Sequence, residues 1–170
     1  MGKSGLFDLE KHFAFYGAYH SNPVNILLHT LFVWPLFFTA LVLFYFTRPS
    51  CAVLNFGFLF TIIHAVFYMC LDKKAGSLAA LLCIACWVGA SQLAHTLGFS
   101  LAWKVVLAAQ LFCGTGQFLG HGIFEKRAPA FLDNLVQAIL MAPFFVLLES
   151  SKLSLNMNRI QDFVQAFKQR

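Results

Sequence analysis

Four apolar runs, each about as long as a membrane-crossing helix, constrain this chain more than any other feature. A helix needs about 20 mostly apolar residues to cross the hydrocarbon core of a bilayer. Ile26–Phe46, Ala52–Leu71, Leu78–Leu97 and Leu101–Gly120 each meet that length. Pro35 is expected to kink the first, the third carries Ser91, Gln92 and His95, and Lys104 near the start of the fourth can snorkel. A fifth run, Leu135–Leu148, is only about 14 residues long and contains Pro143. It either spans a thinned membrane or dips in and returns.

A water-soluble fold has no place for so much apolar sequence. Of 170 residues, 59% are hydrophobic and 11% charged, against about 25% charged in ordinary soluble domains. A small domain buries only about two-thirds of the surface its unfolded chain exposes. The expected fold class is therefore all-α. We expect a polytopic membrane helical bundle of about four transmembrane helices, with a re-entrant or short fifth hydrophobic segment. A C-terminal amphipathic helix should follow in "NRIQDFVQAFKQR", where Ile160, Phe163, Val164 and Phe167 share one face. No internal repeat or flexible linker divides the chain, so residues 1–170 read as one domain.

Charge placement orients the bundle. Lys3 and Lys11, Lys73 and Lys74, and Lys126 and Arg127 fall on one side of alternate crossings, against Arg48 and Lys104 on the other. By the excess of Lys and Arg, the first side is cytosolic. The net charge of +5 is scattered rather than striped, and the aromatics lie inside the apolar runs. That excludes a nucleic-acid partner and leaves membrane lipids as the partner of the basic residues. "MGKSGLFDLEKHF" has no apolar core for a secretory signal, and Leu6 breaks a myristoylation motif. The CxxC of Cys83 and Cys86 lies within "LAALLCIACWVGA" and reads as buried small hydrophobes.

Two polar motifs interrupt this apolar sequence. "YHSNPVNILLH" (Tyr19–His29) precedes the first run and "GHGIFEKRAPAFLDN" (Gly120–Asn134) follows the fourth. An even number of crossings separates them, so they face the same side. Asn22-Pro23 reads as an N-cap followed by proline at the first helical position. Asn25 and His29 share a helix face, and Gln117, His121 and Glu125 form a similar stripe if the helix continues through Gly120 and Gly122. Both glycines would let other groups approach His121 closely.

Ionisable groups at membrane depth are functional candidates by default. Neutral imidazole ligates iron, zinc and copper, and two histidines with a carboxylate form the facial triad of non-haem iron oxygenases. His20, His29, His121 and Glu125 offer that set or a three-histidine variant, with Glu125 as ligand or base. His64 and His95 lie inside runs and read first as interhelical packing, though either could add a ligand. His12 reads as surface, and Asp133-Asn134 as a cap for the fifth helix. No HExxH motif is present, nor are the dense histidine boxes of di-iron membrane enzymes. Six histidines suit one metal.

The stretches "FYGAYHSNPVNILLHTLFVWP" and "GQFLGHGIFEKRAPAFLDNLVQAILMAPFF" resemble the Mpo1-like, or DUF962, membrane protein family over nearly the whole chain. The opening "MGKSGLFDLEKHFAFYGAYHSNP" looks like its plant branch. The resemblance implies an Fe(II)-dependent dioxygenase of the endoplasmic reticulum membrane that needs no 2-oxoglutarate. Its implied substrates are O₂ and a 2-hydroxy fatty acid, shortened by one carbon during long-chain-base breakdown. The family's motif histidines fall on His20, His29 and His121. A 2-hydroxy acid offers a carboxylate and an adjacent hydroxyl to chelate the ion; Lys126, Arg127 or the Tyr16/Tyr19 pair are placed to steer the carboxylate. Two other functions fit the residues: a non-catalytic membrane scaffold of the reticulum, and another lipid-modifying metalloenzyme such as a hydroxylase.

Overall fold

The computed structural model describes residues 5–47, 55–129 and 135–151. The expectations for Lys3, Arg48, the Asp133-Asn134 cap and the C-terminal amphipathic helix lie outside the described residues. Within them, all regular structure is helical. A 3₁₀ turn, Gly5–Phe7, leads into α1 (Leu9–Tyr19), α2 (Pro23–Phe44), α3 (Phe56–Leu71) and α4 (Lys73–Leu119). A π-helical turn, Gly120–Glu125, then precedes α5 (Leu135–Ser151).

The helix starts follow from local chemistry. Asp8, Asn22, Asn55 and Asp72 each accept a hydrogen bond from the first turn of the helix that follows, worth about 1 kcal/mol per cap. Asn22 Oδ1 accepts from Val24 N–H at 2.9 Å, and Pro23 opens α2 as the sequence leads one to expect.

The third and fourth apolar runs form one 47-residue helix, broken only at Gly98 with φ 64° and ψ 163°. Glycine takes that conformation without the clash a Cβ would bring. The expected connection "GFS" is thus reduced to a single-residue break. Contacts along the bundle show that the chain reverses there. Phe44 meets Phe60 and Phe37 meets His64, so α3 runs antiparallel to α2. Phe58 meets Trp87, while a Cβ on Gly76 would lie 2.1 Å from Tyr68 O, so the first arm of α4 is antiparallel to α3. Phe32 meets Phe112, and Gln110 Nε2 donates to Leu36 O and Thr39 Oγ1, so the second arm is antiparallel to α2. The result is an up-down-up-down bundle.

α5 closes one side. Its buried Phe144 stacks on Tyr68, and its Phe145 meets Tyr16 at a tilt of 34°. Pro143 has no N–H to give Ile139 O. Around this gap, Tyr68 Oη donates to Leu140 O at 2.8 Å, and His64 Nε2 lies 3.5 Å from Ile139 O. These pairings make α5 parallel to α3, heading back to the end where α1 lies.

Among the described residues, α2 and the segment Lys73–Glu125 are the two helices long and apolar enough to cross a membrane. Only 28% of each apolar window is buried, and Leu27, Leu31, Ile63, Leu81, Leu111 and Phe112 stand exposed. A count of four crossings depends on the division at Gly98 and on α3, whose 16 residues reach about 24 Å at 1.5 Å per residue.

Candidate metal centre

The buried polar residues gather where α1 ends, α2 begins and α4 gives way to the π turn. His20 is the C-cap residue of α1, His29 lies two turns into α2, and His121 is the second residue of the π turn. All three are buried. Their ring centroids are 4.3 Å apart for His20 and His29, and 4.8 Å from each of these to His121. One ring nitrogen from each lies within 4.8 Å of the others. Sequence elements a hundred residues apart therefore meet at one point.

Each histidine on α1 and α2 is oriented by its own helix. His20 Nδ1 lies 2.9 Å from Tyr16 O and His29 Nδ1 lies 3.0 Å from Asn25 O, each four residues back. A neutral ring that donates through Nδ1 keeps the Nε2 lone pair free for a metal, a common way of fixing ligand tautomers. Burial, with His29 next in effect, pushes the His20 pKa down to about 2 and so keeps the ring neutral. His20 Nε2 and His121 Nδ1 are buried without a hydrogen-bond partner. Imidazole nitrogens stripped of water and left unpaired fit a cation: the donor set suits a borderline metal such as iron or zinc.

Glu125 takes a different place from the expected stripe. The helix widens from Gly120 into π geometry and ends at Lys126, whose φ is 54°. Such turns recur at functional sites. The wider turn carries the carboxylate towards the start of α2. There Oε1 accepts from Ser21 N, from Asn22 N at 2.7 Å and from Asn25 Nδ2 at 3.3 Å. Glu125 is outside the cluster that could hold an ion. Arg127 lies 4.0 Å above the Tyr19 ring and donates to Ala18 O at 3.1 Å, so it ties down the end of α1.

The two glycines beside His121 behave unequally. A Cβ on Gly120 would stand 2.4 Å from Asn25 Oδ1, whereas one on Gly122 would meet nothing within 4 Å. Gly116, one turn earlier, has Phe32 Cε2 at 2.3 Å from the same construction. Gly116 and Gly120 thus form a small-xxx-small stripe that lets α2 and α4 approach closely. That spacing was present in the sequence as a signal for helix contact.

His64 and His95 are placed elsewhere. His64 Nδ1 lies 2.8 Å from Phe60 O, and its ring lies in the α3–α5 contact. His95 is exposed, three residues before the break at Gly98 and at the opposite end of the bundle.

A cavity of about 270 Å³ opens beside the three histidines. Tyr16, His20, His29, Gln117 and His121 line one part, and Leu36, Gly114, Phe118, Ala138, Ala142 and Phe145 give an apolar continuation. The volume is near the lower end of typical small-molecule sites. The contribution of α5 was hidden in sequence, although Ala138 and Ala142 are small residues on one helix face.

The chain matches the family model described as 2-hydroxy-palmitic acid dioxygenase Mpo1-like over residues 6–153. It belongs to the Mpo1-like family. Among curated proteins it is 32% identical over 145 residues to 2-hydroxy-palmitic acid dioxygenase MPO1 of Saccharomyces cerevisiae. The match covers 85% of this chain and 80% of the yeast protein. No solved structure matches it.

Proposed function

We propose that this Mpo1-like protein is an Fe(II)-dependent dioxygenase that shortens 2-hydroxy fatty acids by one carbon. The observation that carries the reading is the meeting of buried His20, His29 and His121 at an apolar cavity, with His20 Nε2 and His121 Nδ1 left unpaired. Likeness to a protein named for 2-hydroxy-palmitic acid supplies the substrate class. His20, His29 and His121 are the proposed ligands. Bound there, iron supplies the electron transfer to O₂ that no side chain can provide.

The rest follows from the chain itself. Backbone carbonyls of Tyr16 and Asn25 hold two imidazoles in one tautomer. Glu125 acts as a positioning residue, fixing the His20–His29 turn against the π turn that carries His121. The apolar part of the cavity takes the first methylenes of the acyl chain and excludes water from the head. The balance is RCH(OH)COOH + O₂ → RCOOH + CO₂ + H₂O. The C1–C2 bond breaks, and the substrate itself gives the four electrons that reduce O₂.

We place the enzyme in the endoplasmic reticulum membrane with four crossings, α5 as the re-entrant element, and the site on the cytosolic face. Lys73, Lys74, Lys126 and Arg127 all lie at the histidine end of the bundle and are exposed, in keeping with the positive-inside rule. The test is anaerobic loading of purified protein with Fe(II), then addition of 2-hydroxyhexadecanoic acid and O₂, with products read by mass spectrometry. A fifteen-carbon acid supports the proposal. A product that keeps its carbons and gains oxygen indicates a hydroxylase, and a protein that takes up no iron indicates a scaffold.

A further inference from the structure

Beside the histidines stands a second set of polar side chains. Tyr16, Asn25 and Gln117 precede His20, His29 and His121 by four residues each, so each lies one helical turn from a histidine on the same face. Asn25 is committed to structure: its Nδ2 reaches Tyr19 O and Glu125. The other two are different. Tyr16 Oη and Gln117 Nε2 are buried and have no hydrogen-bond partner, and both residues line the cavity. Tyr16 is 6% exposed and its ring stacks on His20 with centroids 3.9 Å apart. Leaving such donors unpaired in an apolar setting is costly, and buried polar groups in proteins nearly always find partners.

We propose that Tyr16 and Gln117 hold the head group of the substrate, donating hydrogen bonds to its carboxylate and 2-hydroxyl oxygens. This rests on the reading of the site given above. The chemistry of the pair fits that ligand. A phenol hydroxyl and a primary amide both offer N–H or O–H donors, and a carboxylate offers several lone pairs after chelating a metal. Neither donor brings a charge of its own, so the pair selects by hydrogen-bond geometry and not by attraction to any anion. The two come from different helices, α1 and α4, so only a ligand seated between them engages both. A plain fatty acid lacks the hydroxyl and leaves one donor unpaired. A site built to bond a substrate hydroxyl discriminates strongly against the analogue without it.

The test uses full-length protein in lipid nanodiscs, loaded anaerobically with Co(II) as a spectroscopic stand-in for iron. Binding of 2-hydroxyhexadecanoic acid and of hexadecanoic acid is compared for the wild type, Tyr16→Phe and Gln117→Met. Metal stoichiometry and the Co(II) absorption bands report the histidine site independently. The expected result is full metal binding in both variants, with affinity for the 2-hydroxy acid reduced about tenfold in each, or about 1.4 kcal/mol. The variant that loses the donor to the hydroxyl should also lose preference over hexadecanoic acid, while the one that loses the donor to the carboxylate weakens both acids alike. If both variants retain wild-type affinity for the 2-hydroxy acid, the donors do not hold the head group. Loss of metal from Tyr16→Phe would make Tyr16 a ligand and also overturn the assignment. A wild type that binds Co(II) but shows no preference between the acids overturns it as well. A wild type that binds no metal refutes the metal-site reading itself, a different and recognisable failure. Should Tyr16→Phe not fold, Gln117→Met decides the question alone.

Discussion

Replacing Gly120 by alanine should disable the site without touching a ligand. The new Cβ would stand 2.4 Å from Asn25 Oδ1 and 3.2 Å from Leu28 Cδ1. Non-bonded heavy atoms settle at about 3.5 Å or more, so the overlap with Asn25 is about 1 Å. Asn25 cannot swing away cheaply: it is fully buried, and its Nδ2 is held by Tyr19 O and Glu125. The helices must therefore part, and His29 on α2 separates from His121 on the π turn. Overpacking of this kind costs about 1–3 kcal/mol. Gly122→Ala is the matched control, because its Cβ meets nothing within 4 Å and should fall within about 0.5 kcal/mol of the wild type. Thermal unfolding in detergent and bound-metal stoichiometry are the assays. Gly120→Ala should melt lower and bind metal weakly, while Gly122→Ala matches the wild type in both. Equal behaviour of the two variants would refute the close α2–α4 approach on which the site depends.

Three further outcomes are expected. Glu125→Ala should cost about 2–3 kcal/mol, since two backbone donors and Asn25 lose a charged acceptor, and should lower metal affinity; Glu125→Gln keeps an acceptor oxygen and should retain metal. Tyr68→Phe removes the bond to Leu140 O and should cost about 1 kcal/mol in a melting assay, with metal content unchanged. Lys73→Cys and Lys126→Cys, labelled in intact membrane vesicles, should react from the same side, and opposite sidedness would contradict the placement of both polar ends together.

The helices were legible because their apolar runs and Asn or Asp caps are local signals. The meeting of "YHSNPVNILLH" and His121 at one end of the bundle was legible too, since an even number of alternating apolar runs between them needs no tertiary detail. The position of Glu125 was not. A single widened turn at Gly120 re-aims every later side chain, and hydropathy carries no record of it. The direction of α5 was equally hidden, because it is set by Tyr68 and His64 reaching the turn opened by Pro143. His64 illustrates the general difficulty: in sequence it looks like any other candidate ligand, and what separates it from His20, His29 and His121 is its place in the α3–α5 contact, with Nε2 facing Ile139 O.

Activity is expected to depend on metal held by three histidines. The most direct measurement is iron stoichiometry of His20→Ala, His29→Ala and His121→Ala after anaerobic loading, beside His12→Ala as control, with turnover of 2-hydroxyhexadecanoic acid followed in the same samples. Each of the three variants should insert into membranes yet lose iron and activity together, and His12→Ala should keep both. Stoichiometric iron and full turnover in all three would place the metal elsewhere and refute ligation by these histidines.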